Sequence, residues 1–403
     1  MKKSYLFGMF ALAAMTMVGC SNDEVVNDYS QDNAIEFGTY VGRGASSRAH
    51  VIDTKTLGTE GFGVFAYYTG QNPFTGKETP NFMYNEEVTN TTWDEQKNEF
   101  TGDWTYSPIK YWPNNLGDKV TFLAYAPYNK DTKIAEITGE NANNTSISYT
   151  VPPTVTEQKD LLYLCQTIDQ ATGEDCKTID LTKQSVTDKV EFHFLHALSR
   201  IGFNAEVMVD MVNGDQTGDA DDADTYQKEV KLADGTKIVI NSVTLSGKFY
   251  PSGTLNLNEG EWTPATATKV DYKLTPDNFG QGNPSFTFTN KDGKNKRPLN
   301  NFESYIMIIP QDFTKATAPE DKITVTIAYD VFTEDAALPE IEGWGKGSLV
   351  KNVVTSDPFT IDFQQGKAYN FTLHIGMTSV KLSATVEGWG EITDIAVNVP
   401  INK

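Results

Sequence analysis

Apolar residues in this chain recur at every second position, in short bursts closed by Gly, Pro or Asn. Tyr369, Phe371, Leu373 and Ile375 share one parity, as do Val380, Leu382, Ala384 and Val386. Ile323, Val325, Ile327, Tyr329 and Val331 repeat the pattern. Side chains alternate across a β-strand, so each set lies on one face of a sheet. In the first half, Ile35, Phe37, Thr39 and Val41 align, and so do Phe62, Val64, Ala66 and Tyr68. Aromatic and β-branched segments follow: "NFMYNEEVT", "WTYSPIKYWP", "KVTFLAYAPY", "SISYTVPP" and "KDLLYLCQ". Helical periodicity is scarce and turn residues are frequent. Many short alternating strands of this kind predict an all-β chain of sandwiches.

The 403 residues suffice for two or three domains. "KVEFHFLHALSRIGFNAEVMV" opens a second set of strands, which puts the boundary at Lys189. The expected organisation is residues 34–188 as an N-terminal sandwich and 189–403 as a C-terminal one. Within "KIVINSVTLSGKF" the parity switches between Ile238/Ile240 and Val243/Leu245, which predicts a β-bulge near Asn241–Ser242. The chain ends on a further alternating segment, with Ile395, Val397, Val399 and Ile401 on one side. That strand either closes its own sandwich, as a hairpin with "SVKLSATVEGW", or enters the core of a neighbouring molecule.

Charge narrows the partners. Fifty-four acidic residues against 33 basic ones give a formal charge of −21. A surface of that sign repels phosphate backbones and anionic head groups, which excludes nucleic acid as a partner.

The first twenty residues differ from the rest. Lys2 and Lys3 precede an apolar run that is too short to cross a membrane, and the run ends in "MVGC". This resembles a bacterial lipoprotein signal. The resemblance implies cleavage between Gly19 and Cys20 and a lipid on Cys20, which would first tether the protein to the outer membrane. An ordinary secretory peptide is the alternative. Residues 21–33, beginning "SNDE", read as a flexible tether. Outside the cytoplasm the remaining pair, Cys165 and Cys176, forms either a disulfide or two buried thiols.

The order of "GFGVFAYYTG", "NFMYN", "WTYSPIKYWPN", "VTFLAYAPY", "KDLLYL" and "VEFHFLHALSRIGF", with "SSRAH" after the first strand, resembles the fimbrillin family of Bacteroidales, the Mfa-like pilins. The resemblance implies two transthyretin-like (Ig-like) β-sandwiches in tandem and a place in cell-surface fimbriae. It also implies a route: export as a lipoprotein, cleavage at Arg48–Ala49, loss of the strand carrying Ile35, Phe37 and Val41, and filling of the vacated groove by a neighbour's C-terminal strand. The partners would be other fimbrillin subunits. A tip or anchor component, or a non-polymerising surface adhesin that binds host glycans or proteins, is the alternative.

No catalytic constellation emerges. The chain has no G-x-S-x-G, H-E-x-x-H or P-loop. His193 and His196, three apart on a strand, point to opposite faces and cannot share a metal. His196 reads as a hydrogen-bonded core residue. The acidic loop Asn213–Asp224 lacks the terminal Glu of an EF-hand; it reads as solvated, or as a loose calcium site. Trp104, Tyr106, Tyr111 and Trp112 are expected to pack a core. An enzyme is not expected, nor a cofactor or metal.

Overall fold

In the computed structural model, residues 33–41, 52–97, 99–128, 145–166, 176–207, 232–275, 286–289, 297–298, 305–376, 380–388 and 397–399 are described. They are nearly all β. A first six-stranded sheet runs in the order Phe37–Val41, Val190–His196, Leu162–Leu164, Lys119–Ala126, Phe62–Gly70, Met83–Val88. Phe37–Val41, the lead strand, occupies one edge. It pairs in parallel with Val190–His196, while the other neighbours in the sheet pair antiparallel.

Two further sheets face each other in the second half. One holds Ser199–Val207, Lys367–Ile375, Val380–Gly388 and the terminal strand Val397–Val399. The other is built on Thr236–Phe249, Thr324–Glu334 and Gly345–Thr355. The expected bulge is present: the pairing of Thr236–Phe249 with Thr324–Glu334 slips between Ile240 and Ser242. The extra residue reconciles the two parities. Ile238, Ile240, Val243 and Leu245 all reach the same core and are fully buried.

The structure departs from the sequence reading in three places. Val190–His196, expected to open the second set of strands, is hydrogen-bonded into the first sheet, and the chain crosses to the next sheet at Ala197–Leu198. An apolar alternating strand carries no label for the sheet it joins, and the lead strand and Leu162–Leu164 supplied its partners. Second, although helical periodicity is scarce, the stretch after the lead strand contains a helix, Thr54–Glu60. Asp53 caps it: its carboxylate accepts from the Thr56 backbone at 2.7 Å, and the Thr56 hydroxyl reaches back to the Asp53 backbone at 2.8 Å. Third, Phe62–Gly70 and Lys119–Ala126 are buried on both faces, not one. Phe62, Val64 and Ala66 enter the core under the lead strand, whereas Phe65, Tyr67, Leu123 and Tyr125 belong to the second core.

A small sheet joins the two halves. Ser146–Thr150 pairs antiparallel with Ser252–Asn256 over five residues, and Trp262, on the third strand of this sheet, donates to the Ala197 carbonyl at 2.9 Å. Cys165 and Cys176 are joined by a disulfide, with Cα atoms 5.8 Å apart and both residues buried. The bond fastens the segment around Thr178, which packs on the 119–126 strand through a Thr178 hydroxyl bond to the Phe122 carbonyl at 2.6 Å. Replacing both cysteines by serine should lower the urea-unfolding free energy by about 2–3 kcal/mol, since the bridge closes a loop of separation 11.

Candidate functional site: the groove under the lead strand

The lead strand alternates as its sequence dictates. Ile35, Phe37 and Val41 are at most 3% exposed, while Glu36 points to solvent. Phe37 sits at the centre of an aromatic cluster. Its ring centroid lies 4.8 Å from Phe192, 5.3 Å from Tyr106, 5.9 Å from Phe122 and 6.3 Å from Phe62. Contacts of this geometry add about 0.5–1.5 kcal/mol each beyond area burial. Burying three such side chains contributes about 5–9 kcal/mol before entropy is counted.

Hydrogen bonds hold the strand from both sides. On one side, Phe37 through Val41 stand opposite Val190 through Phe194, and the Val190 amide donates to the Glu36 carbonyl at 2.8 Å. On the other, the Ile35 amide donates to the Lys110 carbonyl and the Trp112 amide to the Asn33 carbonyl, each at 2.9 Å. The Tyr106 hydroxyl donates to the Ile35 carbonyl at 2.8 Å, and burial pushes its pKa up to about 12. Trp104, Tyr106 and Trp112 line this core as expected. Tyr111 does not: it is 52% exposed, because the backbone pairing at Lys110 and Trp112 turns it outward.

Buried polar residues fix the chain beyond the groove. Asp160 is fully buried; its Oδ2 accepts from the Ile52 amide at 3.0 Å and stands 2.8 Å from His196 Nδ1. His196 is thus the hydrogen-bonded core residue its position suggested, and Ile52, 5% exposed, is anchored where the described chain resumes. His193 faces elsewhere, with its ring 5.5 Å from Tyr40 of the lead strand. Asp160 carried no sequence signal, since a lone Asp in a loop resembles any solvated one.

At the other end, Val397–Val399 pairs antiparallel with Val380–Gly388, placing Val397 opposite Ala384 and Val399 opposite Leu382. In the isolated chain the terminal strand therefore closes its own sheet, as the hairpin reading had it. Cys20, Arg48, Ala49, Ile395 and Ile401 lie outside the described residues, as does the acidic loop Asn213–Asp224.

One polar line lies apart from the groove. His374 bonds Glu206 through Nδ1 and lies 2.8 Å from Ser383 Oγ through Nε2. Ser383 sits mid-strand, flanked by Thr372 and Asn398. Glu206, His374 and Ser383 stand on three adjacent paired strands, and the line reads as a cross-strand tie. Among the described residues no group of three or more metal-ligating side chains converges. No helix of the described chain is long and apolar enough to cross a membrane.

Comparison with known proteins adds the following. Residues 47–389 match the family model described as fimbrillin-like. The matched span leaves out the lead strand and the terminal strand. The fimbrium subunit Fim1C of Phocaeicola vulgatus is 28% identical over 420 residues, covering 97% of this chain and 98% of that protein. The crystal structure of a fimbrial protein from Bacteroides vulgatus has a TM-score of 0.61 at 22% identity, covering 89% of this chain and 99% of that one, and so shares the fold.

Phe37→Ala should destabilise the full chain by about 3–5 kcal/mol in chemical denaturation, the cost of a large cavity in a packed core. Alkali should act through Tyr106. Its folded pKa lies above the unfolded value of 10.0, so its contribution is intact below pH 10 and is lost as pH rises toward about 12. Melting curves of Tyr106→Phe and the parent chain should therefore converge between those two pH values.

Proposed function

The chain belongs to the fimbrillin-like family, and from that membership we propose that it is a structural subunit of cell-surface fimbriae that assembles by strand complementation. One observation carries the mechanism: Phe37 and Val41 on a single edge strand, with Ile35 just ahead of it, plug an aromatic core whose other walls come from residues 52–194. Removing that strand would uncover the unpaired edge of Val190–His196 and an apolar slot beside it. A strand supplied in trans restores both the ladder and the burial.

We assign the processing bond to Arg48–Ala49 and the donor to the C-terminal segment carrying Ile395, Val397, Val399 and Ile401. Among the described residues the terminal strand is the outermost of its sheet. A strand at a sheet edge leaves by breaking one ladder and not two, which supports its use as a donor. Export as a lipoprotein acylated on Cys20, with early attachment to the outer membrane, completes the route. The fold reads as two sandwiches in tandem, a view supported by the two hydrophobic cores, with the crossing at Ala197–Leu198 and not at Lys189.

The test is to treat the purified full chain with an Arg-specific protease and run it unboiled on a denaturing gel. Ladders that collapse on boiling, and that vanish when Val397 and Val399 are both changed to Asp, are the expected result. A protein that is cut at Arg48 yet stays monomeric at high concentration overturns polymerisation and leaves a surface adhesin.

A further inference from the structure

We propose that a cleft at the far end of the third sheet binds an acidic saccharide through Trp344, Lys237 and Lys346. The cleft is open to solvent, offers about 390 Å³ and is lined by these three residues with Thr236, Thr289 and Glu334. That volume is in the range of small-ligand sites and accommodates a sugar ring.

The geometry is specific. Trp344 sits at the turn of the hairpin Glu340–Ile341/Gly345–Thr355, between Gly343 and Gly345, whose φ angles are 77° and 101°. Side chains other than glycine rarely adopt those angles, so the turn calls for glycine on both sides of Trp344. The Trp344 amide donates to the Ile341 carbonyl at 2.9 Å, which fixes the turn. The ring packs 5.5 Å from Phe332, and the Lys237 ammonium lies 4.7 Å from the Trp344 centroid and 4.9 Å from that of Phe332. The aromatic pair thus positions a cation at the wall of the cleft. Lys346 lines the same space. Among the described residues neither lysine forms a salt bridge, although the chain carries 54 carboxylates to 33 basic side chains.

These groups match the chemistry of a sugar acid. The part of the half-buried indole that Phe332 and Lys237 leave uncovered offers itself to the apolar C–H face of a pyranose. Two ammonium groups meet a carboxylate. The Thr236 and Thr289 hydroxyls and the Glu334 carboxylate suit ring hydroxyls. With a neutral sugar bound, the single Glu334 carboxylate would face two cations. The site lies on the second half of the chain and does not rest on strand complementation.

The test titrates the full chain with N-acetylneuraminic acid, galacturonic acid, galactose and sodium acetate, followed by saturation-transfer NMR. The expected result is saturable binding of at least one sugar acid with Kd of about 1 mM or tighter, and galactose weaker by about tenfold or more. Trp344→Ala and Lys237→Met should each weaken that binding by about tenfold, with melting temperature unchanged. If either fails to fold, the exposed Lys346→Gln takes its place with the same expected loss. The assignment is overturned if neither sugar acid saturates, if galactose or acetate binds as tightly, or if the folded variants bind like the parent.

Discussion

A sheet edge in water leaves a row of amides and carbonyls unpaired, and an aromatic core open on one side leaves its rings wet. Both conditions arise at the same place in this protein, along Val190–His196, and a single short strand answers both. Phe37 closes the ring cluster formed by Phe62, Tyr106, Phe122 and Phe192, while the backbone on either side of it completes two rows of hydrogen bonds. The first core depends on that closure, because its remaining strands already have their partners. The plug lies far away in sequence from the strand it pairs with, so nothing in the intervening topology requires it to come from the same molecule.

The second half supplies the rest of the architecture. Its core reaches across to the back of the first sheet, where Phe65, Tyr67, Leu123 and Tyr125 are buried against it. With Ser146–Thr150 paired to Ser252–Asn256, the two halves meet through a shared sheet as well as through packing. The consequence for the groove is stiffness: the walls opposite the lead strand are strands fixed from behind.

Much of this could be read from residue order alone, and what could not has physical reasons. The bulge at Asn241 was legible because two runs of opposite parity cannot share a face without an extra residue. The burial of Ile35, Phe37 and Val41 followed from alternation. Strand membership did not follow, since Val190, Phe192 and Phe194 alternate in the same way whichever sheet they join. Double burial of Phe65 and Tyr67 was hidden because tyrosine and phenylalanine are tolerated on exposed faces. The helix Thr54–Glu60 was encoded in Asp53 and Thr56, a capping pair masked by the small polar residues around it. Asp160 gave no warning, because its significance lies in its distance from Ile52 and His196, and distance across a fold is invisible in one dimension.

The way the lead strand lies also decides how it answers to force. Its five register positions run side by side with Phe194 and the residues before it. Tension applied along that axis loads all of them together in shear, so they fail only as a group. Tension applied sideways opens them one at a time. The slot thus resists a lengthwise pull on the strand it holds far better than a sideways one.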